Sequence, residues 1–247
     1  YTYTCRISES MTVEPILITG VGKRLGRHLA NNFLDRGVPV IGTYRNETEY
    51  LSQLKKKNAT LLQCDLYNDT DIKSLIENVT RNYTSIRAII HNASDWLSDS
   101  AELSPSTIIQ RMMQVHVNAP YLLNFGLAPL LMNTQHNHSD IIHVGDYVSS
   151  CGSKKHIAYA ASKAGQDNLT YSFSSKLAPK VKVNSLSPSL ILFNHEDDDE
   201  YKKKALKKSL MEREGGCAEF QNAIDYLLNS QYITGRILPL DGGRHLK

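Results

Sequence analysis

The chain has one tryptophan, four cysteines and no apolar run long enough to cross a membrane as a helix. Cys5, Cys64, Cys151 and Cys217 stand far apart, without the CxxC spacing of redox or metal motifs, so reduced thiols in a cytoplasmic protein are the simple expectation. Charge excludes more than it suggests. A net +3, from 28 Lys and Arg against 25 Asp and Glu, is too small to argue for nucleic acid, and no aromatic residues interleave a basic patch. The lysines at 55–57 and 202–208 share helical stretches with Asp and Glu, which reads as solvated helix faces. His136, His138, His143 and His156 invite a metal hypothesis, but 135–139 is a polar loop pattern and no metal is expected. The first ten residues lack a charged segment followed by an apolar one, so they do not read as a signal peptide. Met11 reads as the natural start, and residues 1–14 as an extension with little order.

What is present is a core. With 247 residues, 41% of them hydrophobic, the chain can form a single α/β domain. PILITGVGKRLGRHLANNFLDRG reads as a short buried strand, a glycine-containing turn and a helix whose Leu25, Leu29, Phe33 and Leu34 recur at helical spacing. Glycines in such a turn let the backbone approach a pyrophosphate, which a helix N-terminus favours electrostatically. Further apolar runs at 38–44, 59–65, 86–92, 140–145, 181–188 and 233–240 alternate with helical stretches. Seven strands with helical crossovers predict one Rossmann-type, doubly wound parallel sheet with helices on both faces and its ligand at the strands' carboxyl ends.

Chemistry concentrates in DIIHVGDYVSSCGSKKHIAYAASKAG, where Asp146 ends an apolar run and Tyr159 and Lys163 lie one helical turn apart. On one helix face the ammonium can stabilise the ionised phenol. A tyrosine of pKa about 10 brought near neutrality requires roughly 3–4 kcal/mol of differential stabilisation. YxxxK alone is a weak signal, since chance helices carry it with both side chains solvated.

Its company makes it specific. TGxxxRLG (Thr19 to Gly26), HNAS (His91 to Ser94), Asn118, Tyr159, Lys163 and LPLDGG (Leu238 to Gly243) resemble the short-chain dehydrogenase/reductase family from about Pro15 to the end. Three departures resemble its pteridine-reductase branch: Arg24 replaces the middle glycine of TGxxxGxG, Asp146 replaces the serine before YxxxK, and Trp96 follows two places after the NAS. One of eight Asn-x-Ser/Thr sequons is Asn92-Ala93-Ser94, at the expected cofactor site, so the sequons read as coincidence rather than glycosylation.

The resemblance implies an NADPH-dependent oxidoreductase that converts a 7,8-dihydropterin to its tetrahydro form, with Asp146, Tyr159, Lys163 and Asn118 catalytic. Cofactor contacts are expected from Gly20, Lys23, Arg24, Leu25, Tyr44, Arg45, Asp65, Leu66, Asn92, Ala93, Tyr159, Lys163 and Pro188. Substrate contacts are expected from Arg24, Ser94, Trp96, Asp146 and Tyr159, with Trp96 stacked over the pterin. NADPH rather than NADH follows from GTYRN at 42–46, which offers Arg45 to a 2'-phosphate and no acid to a ribose hydroxyl. Asp65 is the expected adenine neighbour, and Asn118 the organiser of a relay water behind Lys163. Asp146 has two open roles: a carboxylate accepting from pterin N–H groups, or a protonated acid that donates.

Residues 190–216 should cover the substrate, with a helix over 198–212 ordered acid-first and base-last, and with Ser189 in place of a hinge glycine. A homotetramer is implied, paired through 101–134 and 156–178. The rival readings are a generic NADPH carbonyl reductase, against which Asp146 and Trp96 speak, and an NADPH-binding protein without turnover, against which the intact Asn118, Tyr159 and Lys163 speak.

Overall fold

A computed structural model describes residues 13–247, so residues 1–12 of the extension expected over 1–14, Met11 among them, lie outside the described residues. The packed domain begins by Glu14, which is buried and accepts a 2.9 Å hydrogen bond from the Gln135 amide. That is one residue earlier than the apolar pattern places it.

Seven parallel strands form one sheet in the order β3-β2-β1-β4-β5-β6-β7. They are β1 (Ile16–Ile18), β2 (Val40–Tyr44), β3 (Thr60–Gln63), β4 (Ala88–His91), β5 (Ser139–Val144), β6 (Val181–Pro188) and β7 (Arg236–Leu240). Each lies within or beside a predicted apolar run, and most are shorter because the flanking residues belong to the turns. The period-2 alternation of a strand divides the core between two faces. Ile16 and Ile18 pack on one side with α1 (Arg24–Asp35), α2 (Glu49–Lys56) and α9 (Gly216–Asn229). Leu17 packs on the other with α3 (Asp69–Asn82), α5 (Ala119–Met132) and α7 (Ile157–Leu177).

Sheet order positions the site. β1 pairs with β2 on one side and β4 on the other, Ile16 standing opposite both Val40 and Ala88, so successive crossovers diverge at the β1/β4 boundary. A crevice opens beyond the carboxyl ends of such a pair. Gly20, Asn92 and Ala93 lie there.

The segment 101–134 holds two helices joined by an irregular turn. α4 (Pro105–Met113), capped by the Ser104 hydroxyl on the Thr107 amide, runs into a π-type turn at Gln114–Asn118 before α5 begins. Such a wide turn redirects side chains and recurs at functional sites. A short α6 (Val148–Cys151) follows Asp146, and α8 (Asp199–Leu206) lies in the segment after β6.

α8 starts as predicted, with Asp198 capping the Tyr201 amide at 2.7 Å, but ends at Leu206 instead of continuing to 212. The following backbone is captured elsewhere: Met211 N bonds to Gly242 O at 3.1 Å, and Glu212 takes a left-handed φ of 47°. Helix propensity loses to a tertiary contact here. Among the described residues, no helix is long and apolar enough to cross a membrane.

Candidate active site

The loop from β1 to α1 is built on close approach. Gly20 has φ 76°, and at Gly26 a Cβ would collide with the Gly20 carbonyl and the Asn92 amide. Asn92 Nδ2 donates to Thr19 O at 3.0 Å and Gly20 O at 3.1 Å, while Ala93 N donates to Thr19 Oγ1 at 2.9 Å, which ties the β1 and β4 loops together. The first turn of α1 contains no acid, and Lys23, Arg24 and Leu25 stand at its start, so its amide dipoles face no internal anion.

Arg24 occupies the usual glycine position with φ 50°, a left-handed conformation that costs a side-chain-bearing residue on the order of 1 kcal/mol. Its guanidinium donates to Leu192 O at 3.0 Å and to Asn194 Oδ1, both on the segment after β6. The expected cofactor and substrate residue is therefore also tied to the segment after β6. Nothing in the sequence marked Asn194 as its partner.

At the end of β2, Tyr44 is buried and Arg45 is exposed. Arg45 Nη1 lies 3.4 Å from Asp95 Oδ2, which also accepts from Tyr67 Oη at 2.8 Å. An acid thus does stand near this arginine, from the β4 loop rather than the strand end. A cleft of about 350 Å³, lined by Arg45, Asn46, Gln63, Asp65, Asp71 and Ser74, opens beside it. Asp65 Oδ1 accepts from Tyr67 N at 3.1 Å, and Leu66 is buried with its carbonyl accepting from Gln114 Nε2 at 3.2 Å.

The structure brings Asp146 and Tyr159 together. Tyr159 Oη donates to Asp146 Oδ2 at 2.9 Å, and Val148 N donates to Asp146 Oδ1 at 3.0 Å, so both carboxyl oxygens accept. Lys163, only 2% exposed, donates to Val144 O at 2.7 Å and to Gln166 Oε1 at 3.3 Å. Burial lowers the Lys163 pKa to about 8, against the opposing pull of Asp146 and Asp167.

The expectation that Lys163 draws the phenol towards neutrality is corrected by this geometry. Its Nζ is 5.8 Å from the Tyr159 ring centroid and is spent on other acceptors. Burial, then the charge and hydrogen bond of Asp146, raise the Tyr159 pKa, so the phenol keeps its proton. As placed here, Tyr159 is a donor. Asp167 is a further buried acid that the motif does not signal; it accepts from Ser185 Oγ at 2.9 Å, and burial raises its pKa.

Asn118 closes the π-type turn, and its Nδ2 donates to Asp69 Oδ1 at 3.0 Å and Gln114 Oε1 at 2.9 Å. The side chain therefore braces α3 rather than reaching Lys163. Trp96 is 62% exposed and stacks on His156 with ring centroids 3.9 Å apart. Ser94 Oγ lies 2.8 Å from His116 Nε2, and the Tyr147 amide donates to Pro188 O at 3.0 Å at the end of β6. Ser189 accepts from Arg244 Nη1 at 2.8 Å, so the expected hinge is pinned to the C-terminal turn. The four histidines considered for a metal are dispersed: His143 meets Thr170, His138 meets Pro179 O, His156 meets Leu97 O and His136 faces Glu14.

A profile of the family described as Enoyl-(Acyl carrier protein) reductase matches residues 20–245. Over 233 residues the chain is 52% identical to a dihydromonapterin reductase of Klebsiella pneumoniae, covering 94% of this chain and 97% of that one. The protein of the same name from Enterobacter sp. strain 638 is 53% identical over 232 residues, with the same coverage. The chain belongs to the short-chain dehydrogenase/reductase family. Solved structures share this fold at low identity. FolM Alternative dihydrofolate reductase 1 of Brucella canis, complexed with NADP, superposes with a TM-score of 0.85 at 23% identity, covering 97% of both chains. RhlG of Pseudomonas aeruginosa, also with NADP, gives 0.85 at 21%, covering 96% of this chain and 98% of that one.

Proposed function

We propose that this protein uses NADPH to reduce a 7,8-dihydropterin, dihydromonapterin first and dihydrofolate as a related substrate, to the tetrahydro form. The observation that carries the reading is identity at half of all positions, across 94% of the chain, with enzymes named dihydromonapterin reductase. The site supports it chemically. A carboxylate held against the phenol is poor equipment for polarising a ketone but suits a ring rich in N–H groups.

The residues fit a dinucleotide. Gly20 and Gly26 leave backbone room, the acid-free start of α1 favours a pyrophosphate, and Arg45 beside the 350 Å³ cleft suits a 2'-phosphate. Bound NADPH supplies the hydride for C6 of the pterin. Lys163 holds the nicotinamide ribose, Trp96 covers the flat substrate, and Tyr159 keeps at Oη the proton destined for N5, with Asp146 behind it. A homotetramer fits as well, because α5 and α7 expose Tyr121, Phe125, Met132 and Tyr171. Micromolar protein that scatters light as a monomer would contradict that assembly.

Steady-state NADPH oxidation with 7,8-dihydromonapterin, dihydrobiopterin, dihydrofolate and a panel of simple ketones is the test. Turnover of dihydropterins with weak or no ketone activity is expected. Preferential ketone turnover, or pterin binding without NADPH oxidation, would overturn the reading.

A further inference from the structure

His116 belongs to no motif, yet both of its ring nitrogens are engaged beneath the proposed substrate position. The π-type turn at 114–118 sets its fully buried imidazole edge-on to the Tyr159 ring, with centroids 5.4 Å apart. Nδ1 lies 2.8 Å from Ser162 Oγ, and Nε2 lies 2.8 Å from Ser94 Oγ.

The direction of every hydrogen in this row follows from its far end. Ser162 Oγ is 2.7 Å from the Tyr159 carbonyl, which can only accept, so the single Ser162 hydroxyl hydrogen is committed there. Ser162 thus meets His116 with a lone pair, and Nδ1 must carry a hydrogen. Burial, with the nearby Lys163 charge, holds the imidazole well below its ordinary pKa, so the ring is neutral and Nε2 is bare. Ser94 must then donate its own hydrogen to Nε2. Two other acceptors lie near it, the Asp95 carbonyl at 3.4 Å and the Tyr159 hydroxyl, whose own hydrogen goes to Asp146, but the 2.8 Å contact is the one to Nε2. Exposed Ser94, beside the Tyr159 hydroxyl, is left with lone pairs alone for whatever enters the site.

We propose that His116 is a positioning residue for substrate choice: by holding Ser94 Oγ as an acceptor, it makes the site require an N–H at that point and disfavours a carbonyl oxygen there. The inference rests on the dihydropterin reading for the identity of that N–H. The physical basis is asymmetric. A matched donor gains one hydrogen bond, whereas a carbonyl leaves two acceptors facing each other in a partly dry site.

Two measurements test it. Nitrogen NMR of histidine-labelled wild-type protein should show His116 as the Nδ1–H tautomer, unchanged across the neutral pH range. An Nε2–H tautomer or a titrating ring would overturn the proposal. In kinetics, His116→Phe should raise the KM for 7,8-dihydromonapterin by about tenfold, the scale of one hydrogen bond, with kcat and the NADPH KM little changed. His116→Gln, whose amide oxygen can accept from Ser94, should restore most of that loss. In a Ser94→Ala background, His116→Phe should add nothing further. An equal KM increase in that background, or a Gln variant as poor as Phe, would show that His116 does not act through Ser94. If wild-type protein turns over no dihydropterin, the functional reading fails, while the tautomer still decides the His116–Ser94 assignment on its own.

Discussion

Tyr159 Oη donates to Asp146 Oδ2 across 2.9 Å, so the phenol and the carboxylate are a single hydrogen-bonded unit. Burial first, and then the neighbouring carboxylate, oppose ionisation of the phenol, so Tyr159 stays protonated in this arrangement.

Replacing Asp146 by Ser restores the ordinary family triad in form. With dihydropterin as substrate it should nonetheless lose turnover by about a hundredfold or more, the size of an acid–base contribution. Asp146→Asn separates the two roles: a kcat loss marks proton management, and a KM increase marks charge anchoring. Wild-type behaviour of Asp146→Ser on dihydropterin would remove the argument from this carboxylate to a nitrogen-rich substrate.

Among the described residues the exposed Arg45 guanidinium makes one ion pair, a long one to Asp95, so its charge is open to a ligand phosphate. Arg45→Ala should weaken NADPH binding by about ten- to a hundredfold, matching a charge-assisted contact of roughly 1.5–3 kcal/mol, and leave NADH nearly unchanged. Fluorescence titration with both cofactors checks this. Equal losses would show that Arg45 does not read the phosphate.

Lys163 makes stability depend on pH in an uncommon direction. Its pKa falls from 10.5 to about 8 on folding, so between those values the unfolded chain binds more protons than the folded one. Cofactor-free wild-type protein should therefore gain stability relative to Lys163→Met as pH rises from about 8 towards 10, the window bounded by the two pKa values. Below that window the difference should be flat. Paired thermal melts at each pH would show it, and a constant difference throughout would mean the ammonium is not penalised by burial.

Gly26 tests the dinucleotide loop. A Cβ there meets the Gly20 carbonyl and the Asn92 amide, neither of which can move without shifting the β1 or β4 loop. Gly26→Ala should destabilise the protein by about 1–3 kcal/mol, as overpacking does, and abolish NADPH binding at concentrations that saturate wild type. Retained cofactor affinity would show that the loop yields.

The sheet, its parallel order and the YxxxK site were legible because they depend on period and local spacing, which a sequence displays directly. Gly20, Asn92, Tyr159 and Lys163 all fall at strand ends or on the expected helix face. The covering helix was legible at its start, where Asp198 caps it locally, but not at its end, where Gly242 holds Met211 from a distant part of the chain.

By itself the sequence determined the α/β class and the family and pointed to Asp146, Tyr159 and Lys163, since apolar period, turn glycines and motif spacing are all short-range. Tertiary structure alone decided what those residues do to one another. It turned Arg24 towards the Leu192 and Asn194 segment, set Asp95 beside Arg45, and placed the His116 ring between Ser94 and Ser162. Partners 22, 46, 50 and 168 residues apart carry no shared pattern. Their hydrogen bonds exist because sheet order and the π-type turn bring separate strand ends and helix faces within 3–4 Å, and the resulting burial then fixes which atom holds each proton.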